Sequence, residues 1–190
     1  MKSKSIARTV LSSVAIGALF GSTQLMAEDC LSVKGKILNS LHDPALGSVY
    51  AGETIGNIGG VSTVGVAALN GENPIGKMKC ALVGVATGLS EVPEGSPFPA
   101  LPSFTHTISC DDSVDDVFGV VHSQLTFDTT GYITGFDGCT ASFTENSIPQ
   151  IESGKGVFDG ATSGVLTIDG TSNVCNGSID MKFTGEVCYD

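Results

Sequence analysis

The sequence predicts an all-β protein, a single antiparallel closed barrel of about eight strands, with a β-sandwich as the alternative architecture. Three observations predict it. Apolar and polar residues alternate with period two in run after run, the spacing that turns one face of a strand inward. Turn dipeptides fall between the runs, namely Asn70-Gly71, Asp137-Gly138, Asp159-Gly160, Asp169-Gly170 and Asn176-Gly177; they supply the positive φ angles that tight hairpins need. Helical periodicity is nearly absent, and 25 glycines in 190 residues work against helices.

The chain opens with Lys2, Lys4 and Arg8, an apolar run over 9–20, and small or aliphatic residues up to Ala27. This is the anatomy of a secretory signal peptide cleaved after Ala27. A membrane anchor is the other reading, but the apolar run falls short of the roughly 20 residues that cross a bilayer. A lipoprotein would need a lipobox before Cys30, and Glu28 and Asp29 do not resemble one. The expected organisation is a signal peptide over 1–27 and one barrel domain over 28–190, secreted or periplasmic.

The first strand carries Leu31, Val33, Gly35 and Ile37 on one face, with Ser32, Lys34 and Lys36 on the other. A second candidate covers 61–69. Met78, Cys80 and Leu82 mark the next, followed by Phe104, His106, Ile108 and Cys110. Val121, Ser123, Leu125 and Phe127 predict one strand over 121–128, and Cys139, Ala141 and Phe143 another. Residues 164–169 form a further strand. Ile179, Met181, Phe183 and Val187 mark the last. Residues 41–60, Gly-rich, and 87–102, with Pro93, Pro97, Pro99 and Pro102, read as irregular.

All three cationic residues of 1–27 leave with that segment. The remaining 163 residues hold 6 Lys, no Arg and 20 Asp plus Glu, a net charge of 6 − 20 = −14. With no Arg and this charge, no cationic surface is expected that could release counterions from a phosphate backbone or hold anionic lipid. Nucleic acid is therefore not an expected partner, and no later stretch is long and apolar enough to span a membrane. Nothing in the chain sets an oligomeric state.

Six cysteines, all after residue 27, imply three disulfides in an exported protein. Without a C-x-x-C pair, neither a zinc site nor a thioredoxin-like centre has support. Strand faces suggest the pairing. Cys30 opens the first strand and Cys188 closes the last, so antiparallel closure brings them together. Cys80 and Cys110 share the apolar register of consecutive strands. Cys139 and Cys175 remain. The expected bridges are Cys30–Cys188, Cys80–Cys110 and Cys139–Cys175.

Residues 154–170 read GKGVFDGATSGVLTIDG. This segment resembles the G-x-G-x-F-x-G-A-x-G signature of the allene oxide cyclase and dirigent-type barrels and their bacterial secreted relatives. The matching positions are Gly154, Gly156, Phe158, Gly160, Ala161 and Gly164, with Ser163 as an extra residue. The resemblance implies an eight-stranded barrel with an apolar cavity that steers a reactive small molecule by orientation. The matched segment is a structural turn, so it carries no active-site residues with it.

Candidate chemistry is sparse. His106 shares the inward register of Phe104 and Ile108, where it could act as acid or base; the plainer reading is a core histidine bound to a backbone carbonyl. His122 reads as exposed, and His42 is uninformative. Asp111, Asp112, Asp115 and Asp116 could hold Ca²⁺, although the EF-hand pattern is absent and a solvated acidic loop is the plainer reading. No other cofactor is implied. There is no nucleophile elbow, phosphate loop or dinucleotide fingerprint, and without Trp the usual sugar-stacking platform is missing. The expected function is an exported barrel that binds a small apolar molecule; the resemblance adds that such a barrel can guide cyclisation or coupling of its substrate. The alternative is a non-catalytic structural or surface interaction protein with a packed core; whether the chain is an enzyme stays open.

Overall fold

The computed structural model describes residues 29–42, 61–116 and 119–189. The signal peptide expected over 1–27 and most of the irregular stretch 41–60 lie outside them. The ten strands are β1 (Asp29–His42), β2 (Ser62–Gly71), β3 (Lys77–Leu89), β4 (Pro102–Cys110), β5 (Val114–Asp116), β6 (Gly119–Val121), β7 (Gln124–Asp137), β8 (Thr140–Pro149), β9 (Ala161–Asn173) and β10 (Ser178–Tyr189). Eight of them close into an antiparallel barrel in the order β1-β10-β9-β8-β7-β4-β3-β2, and β5 pairs with β6 as a separate hairpin. Because β2 also pairs with β1, no edge of the main sheet is left open. No helix among the described residues is long and apolar enough to cross a membrane.

Most of the alternating runs fold as they read, with two differences. The run over 121–128 is divided, since β6 ends at Val121 and β7 starts at Gln124. Ser123 lies between them, fully buried, and its Oγ takes hydrogen bonds from Val157 N (2.9 Å) and gives one to Asp112. The polar anchor breaks the strand there. Strands also run past their expected ends: β3 reaches Leu89, inside a stretch that reads as irregular, and β9 spans Ala161–Asn173, so Asp169-Gly170, expected as a turn, lies within a strand whose pairing on both sides continues through it.

The three expected disulfides are all present. Cys30 faces Cys188 in the β1–β10 register and Cys80 faces Cys110 in the β3–β4 register. The first bridge fastens the seam between first and last strands, over a sequence separation of 158. The third ties the β7–β8 turn to the β9–β10 turn.

The barrel's two ends differ. At the lower end, where β2, β4, β8 and β10 finish, Ile75 and Phe158 are buried plugs, Phe158 being 1% exposed. Phe158 sits in a 3₁₀ turn, Gly156–Phe158, within the segment 154–170. Gly156 has φ +64°, and a Cβ there would press into Ser123, so this turn needs glycine. At the upper end, where β1, β3, β7 and β9 finish, Leu101 and Pro102 approach the interior.

The outer wall carries charge at mid-height, with exposed Lys34, Lys36, Asp128, Asp169, Asp180, Lys182 and Glu186. These charges interrupt the outer wall, unlike the continuous apolar band that girdles a membrane barrel. Exposed Lys182 on β10, Lys34 and Lys36 on β1 and, across β2, Lys77 and Lys79 on β3 share one side of the wall, with Lys36 directly opposite Lys182 and paired to Asp180 at 3.0 Å. Next to them Leu38, Val64, Val66, Val83 and Val85 stand about half exposed. Strand pairing gathers residues whose scatter in sequence hid the grouping.

Candidate functional site

On four strands the inward register begins as an apolar series and then changes character. On β1 it runs Val33, Ile37, Asn39; on β7, Leu125, Phe127, Thr129; on β8, Ala141, Phe143, Glu145, Ser147; on β9, Leu166, Ile168, Ser172. With Thr63 on β2 and His106 on β4, these polar side chains are all buried. The lower interior is mainly apolar, and the buried polar side chains enter across its middle and upper part among Phe104, Phe143, Ile179 and Met181.

His106 lies inward, as its register predicts, but its partners are hydroxyls instead of a backbone carbonyl. Nε2 is 3.2 Å from Thr63 Oγ1, and Nδ1 is 3.1 Å from Thr129 Oγ1. Thr129 Oγ1 in turn lies 2.6 Å from Ser147 Oγ. The result is a hydrogen-bonded belt across β2, β4, β7 and β8. Its reach over β3 depends on Gly84, opposite His106 in the register. A Cβ at Gly84 would come within 3.0 Å of the imidazole and of Thr63 Oγ1. Burial lowers the His106 pKa to about 4, because charging the ring would cost hydration that the belt does not replace. The ring also stacks on Phe104, centroids 5.2 Å apart.

Glu145 sits across the interior, 6% exposed. It faces Gly131 in the β7–β8 register, and a Cβ on Gly131 would crowd its Cγ. Burial pushes its carboxyl up to about 7. Among the described residues three buried polar atoms stand without partners: Asn39 Nδ2 and Ser172 Oγ, which line the interior, and Thr162 Oγ1, which lines neither void described below. Asn39 Oδ1 accepts from Ser40 N at 3.0 Å, which leaves its amide nitrogen turned inward.

These groups surround two small voids of about 40 Å³ each. The lower is lined by apolar residues such as Val33, Leu69, Phe158 and Phe183. The upper is lined by Asn39, Thr63, Phe104 and Ser172 among others. His106, Glu145 and Met181 line both and form the waist between them. Each void has room for about three water molecules.

The acidic cluster does not converge within the described residues. Asp111 accepts from Lys79 N at 2.8 Å; Asp112 accepts from Ser123 N at 3.1 Å. The side chains of Asp115 and Asp116 lie outside the described residues, as does that of His42. His122 is exposed and contacts the Asp112 carbonyl. The grouping of possible metal ligands among the described residues is Cys30, Glu186 and Cys188, and its two cysteines are already bonded to each other.

Sequence reading found His106 and missed Asn39, Thr63, Thr129, Glu145, Ser147 and Ser172. The signal was present: each lies in the inward register just past an apolar run. Reading stopped where apolarity stopped. No family model, curated protein or solved structure matches this chain.

Proposed function

We propose that the barrel is an exported carrier of a small, mostly apolar molecule, whose body fills the lower half and whose polar part meets the waist. The observation that carries this reading is the set of buried polar groups without partners around the upper void. Asn39 Nδ2 and Ser172 Oγ each forgo hydration without a hydrogen-bond partner; an unmet buried polar group costs about 1–3 kcal/mol. A barrel whose only task is to be filled by its own side chains gains by replacing such residues with apolar ones. The resemblance of 154–170 to allene oxide cyclase and dirigent-type barrels supports the same reading. In a guided reaction, Glu145 is the group free to exchange a proton with the bound molecule, since both His106 nitrogens are occupied. His106 then holds the belt in place as a neutral ring.

The void volume sets a condition. A ligand of ten or more heavy atoms needs more room than about 40 Å³, so Met181, flexible and at the waist, must move when it binds. The same small volume favours the second reading, a structural barrel with a packed core. Native mass spectrometry of protein from its source separates them. A retained small molecule is expected; an apo mass, with no binding of the apolar fluorophore N-phenyl-1-naphthylamine, would leave the packed barrel. The same spectrum tests export, with a chain starting at Glu28 and six mass units below its reduced form.

A further inference from the structure

The binding reading leaves open what polar head the waist accepts, and the charges around it narrow the choice. After residue 27 the chain has no Arg, and its six lysines are Lys34, Lys36, Lys77, Lys79, Lys155 and Lys182. All six are exposed, so no fixed cation faces either void. The strands around the upper void and waist contribute Asn39 from β1, Thr63 from β2, His106 from β4, Glu145 from β8, Ser172 from β9 and Met181 from β10. The titratable members are His106 and Glu145. A carboxylate or phosphate head would be stripped of water here with no countercharge, beside another carboxyl. Both imidazole nitrogens are already engaged, so His106 has no free N–H for an anion.

The unmet groups are of a different kind. Asn39 Nδ2 is a donor with no acceptor, and Ser172 Oγ is a hydroxyl with no partner; both are 6% exposed and line the same void. An ammonium head would meet the Asn39 amide donor with its own N–H groups. We propose that this site selects an uncharged head with a hydrogen-bond-accepting oxygen, a hydroxyl or carbonyl on an apolar body, and rejects carboxylates. The inference rests on the binding reading.

The test is a series with one chain length: 1-octanol, 2-octanone, octanoate and octylammonium, each competing with N-phenyl-1-naphthylamine on the disulfide-intact protein at pH 6. Octanol and octanone should displace the fluorophore at least about tenfold more strongly than octanoate, the loss of about one good hydrogen bond or more. Asn39→Leu should weaken octanone by about tenfold relative to the fluorophore measured on the same variant. Ser172→Ala, a smaller change, should weaken it less, and serves if Asn39→Leu does not fold. Octanoate or octylammonium binding as tightly as octanol, or indifference of octanone to both substitutions, overturns the selectivity while the binding reading stands. If the unmodified protein binds neither fluorophore nor any of the four, the binding reading itself falls, and the selectivity with it.

Discussion

Glu145→Gln and His106→Gln should tilt the pH dependence of stability in opposite directions. Burial places the folded Glu145 carboxyl at about 7 against 4.5 when exposed, and the folded His106 ring at about 4 against 6.5. Each is a shift of 2.5, or about 3 kcal/mol at 1.36 kcal/mol per pH unit. A carboxyl that holds its proton more tightly when folded adds stability fully below pH 4.5, and that stability is lost as pH rises through about 7. A histidine that holds its proton less tightly when folded adds stability fully above pH 6.5, lost as pH falls through about 4. Between pH 4.5 and 6.5 the two slopes oppose and nearly cancel, because the folded interior stays uncharged across that window. Urea unfolding of the three proteins, disulfides intact, at half-unit steps from pH 4 to 8 provides the measurement. The other carboxylates are common to all three and drop out of differences. Relative to the unmodified protein, Glu145→Gln should lose about 3 kcal/mol on going from pH 7 to 4.5. His106→Gln should gain a similar amount relative to it on going from pH 6.5 to 4. Parallel curves for all three would refute the assignment of these two groups as desolvated and uncharged.

Further outcomes follow from packing. Gly84→Ala drives a methyl into the imidazole and Thr63; overpacking and a broken belt should cost about 2–4 kcal/mol, lowering Tm by about 5–15 °C. Gly88→Ala, with open space around it, is the control and should leave Tm within a few degrees by the same scan. Phe158→Ala should cost about 3–5 kcal/mol in urea unfolding, and by opening the lower end should raise N-phenyl-1-naphthylamine fluorescence. Replacing Cys30 and Cys188 together by Ala frees the largest loop, a loss of about 5 kcal/mol in the chain-entropy model, against about 4 kcal/mol for Cys139 with Cys175. Equal losses in denaturant titrations would argue that strand pairing, and not the bridge, confines the seam.

The barrel was legible because period-two alternation is a local property. Each of Val33, Leu82, Ile108, Phe127 and Phe183 declares its face through its two neighbours, and Asp137-Gly138 and Asn176-Gly177 declare two of the hairpins, whereas Asp169-Gly170 does not, because it lies inside β9. The disulfides were legible for the same reason, once first and last strands were taken to pair. Cys30 and Cys188 then had nowhere else to meet. The division at Ser123 was not legible, because its Oγ is held by Asp112 and Val157, which come from other parts of the chain.

By itself the sequence determined most of the strands and their inward faces, and the three bridges once closure was assumed; the closed barrel, and not the sandwich, is seen in the structure. The tertiary structure alone decided what the interior is. Asn39, Thr63, His106, Thr129, Glu145 and Ser172 are each an ordinary polar residue near a strand's apolar run. They become a buried belt with unmet donors only when barrel closure turns six strands toward one axis. The same holds outside, where pairing β10, β1, β2 and β3 gathers five of six lysines that sequence order keeps apart. Burial, and with it the neutral histidine and the protonated carboxyl, is a property of the closed barrel and of no single strand.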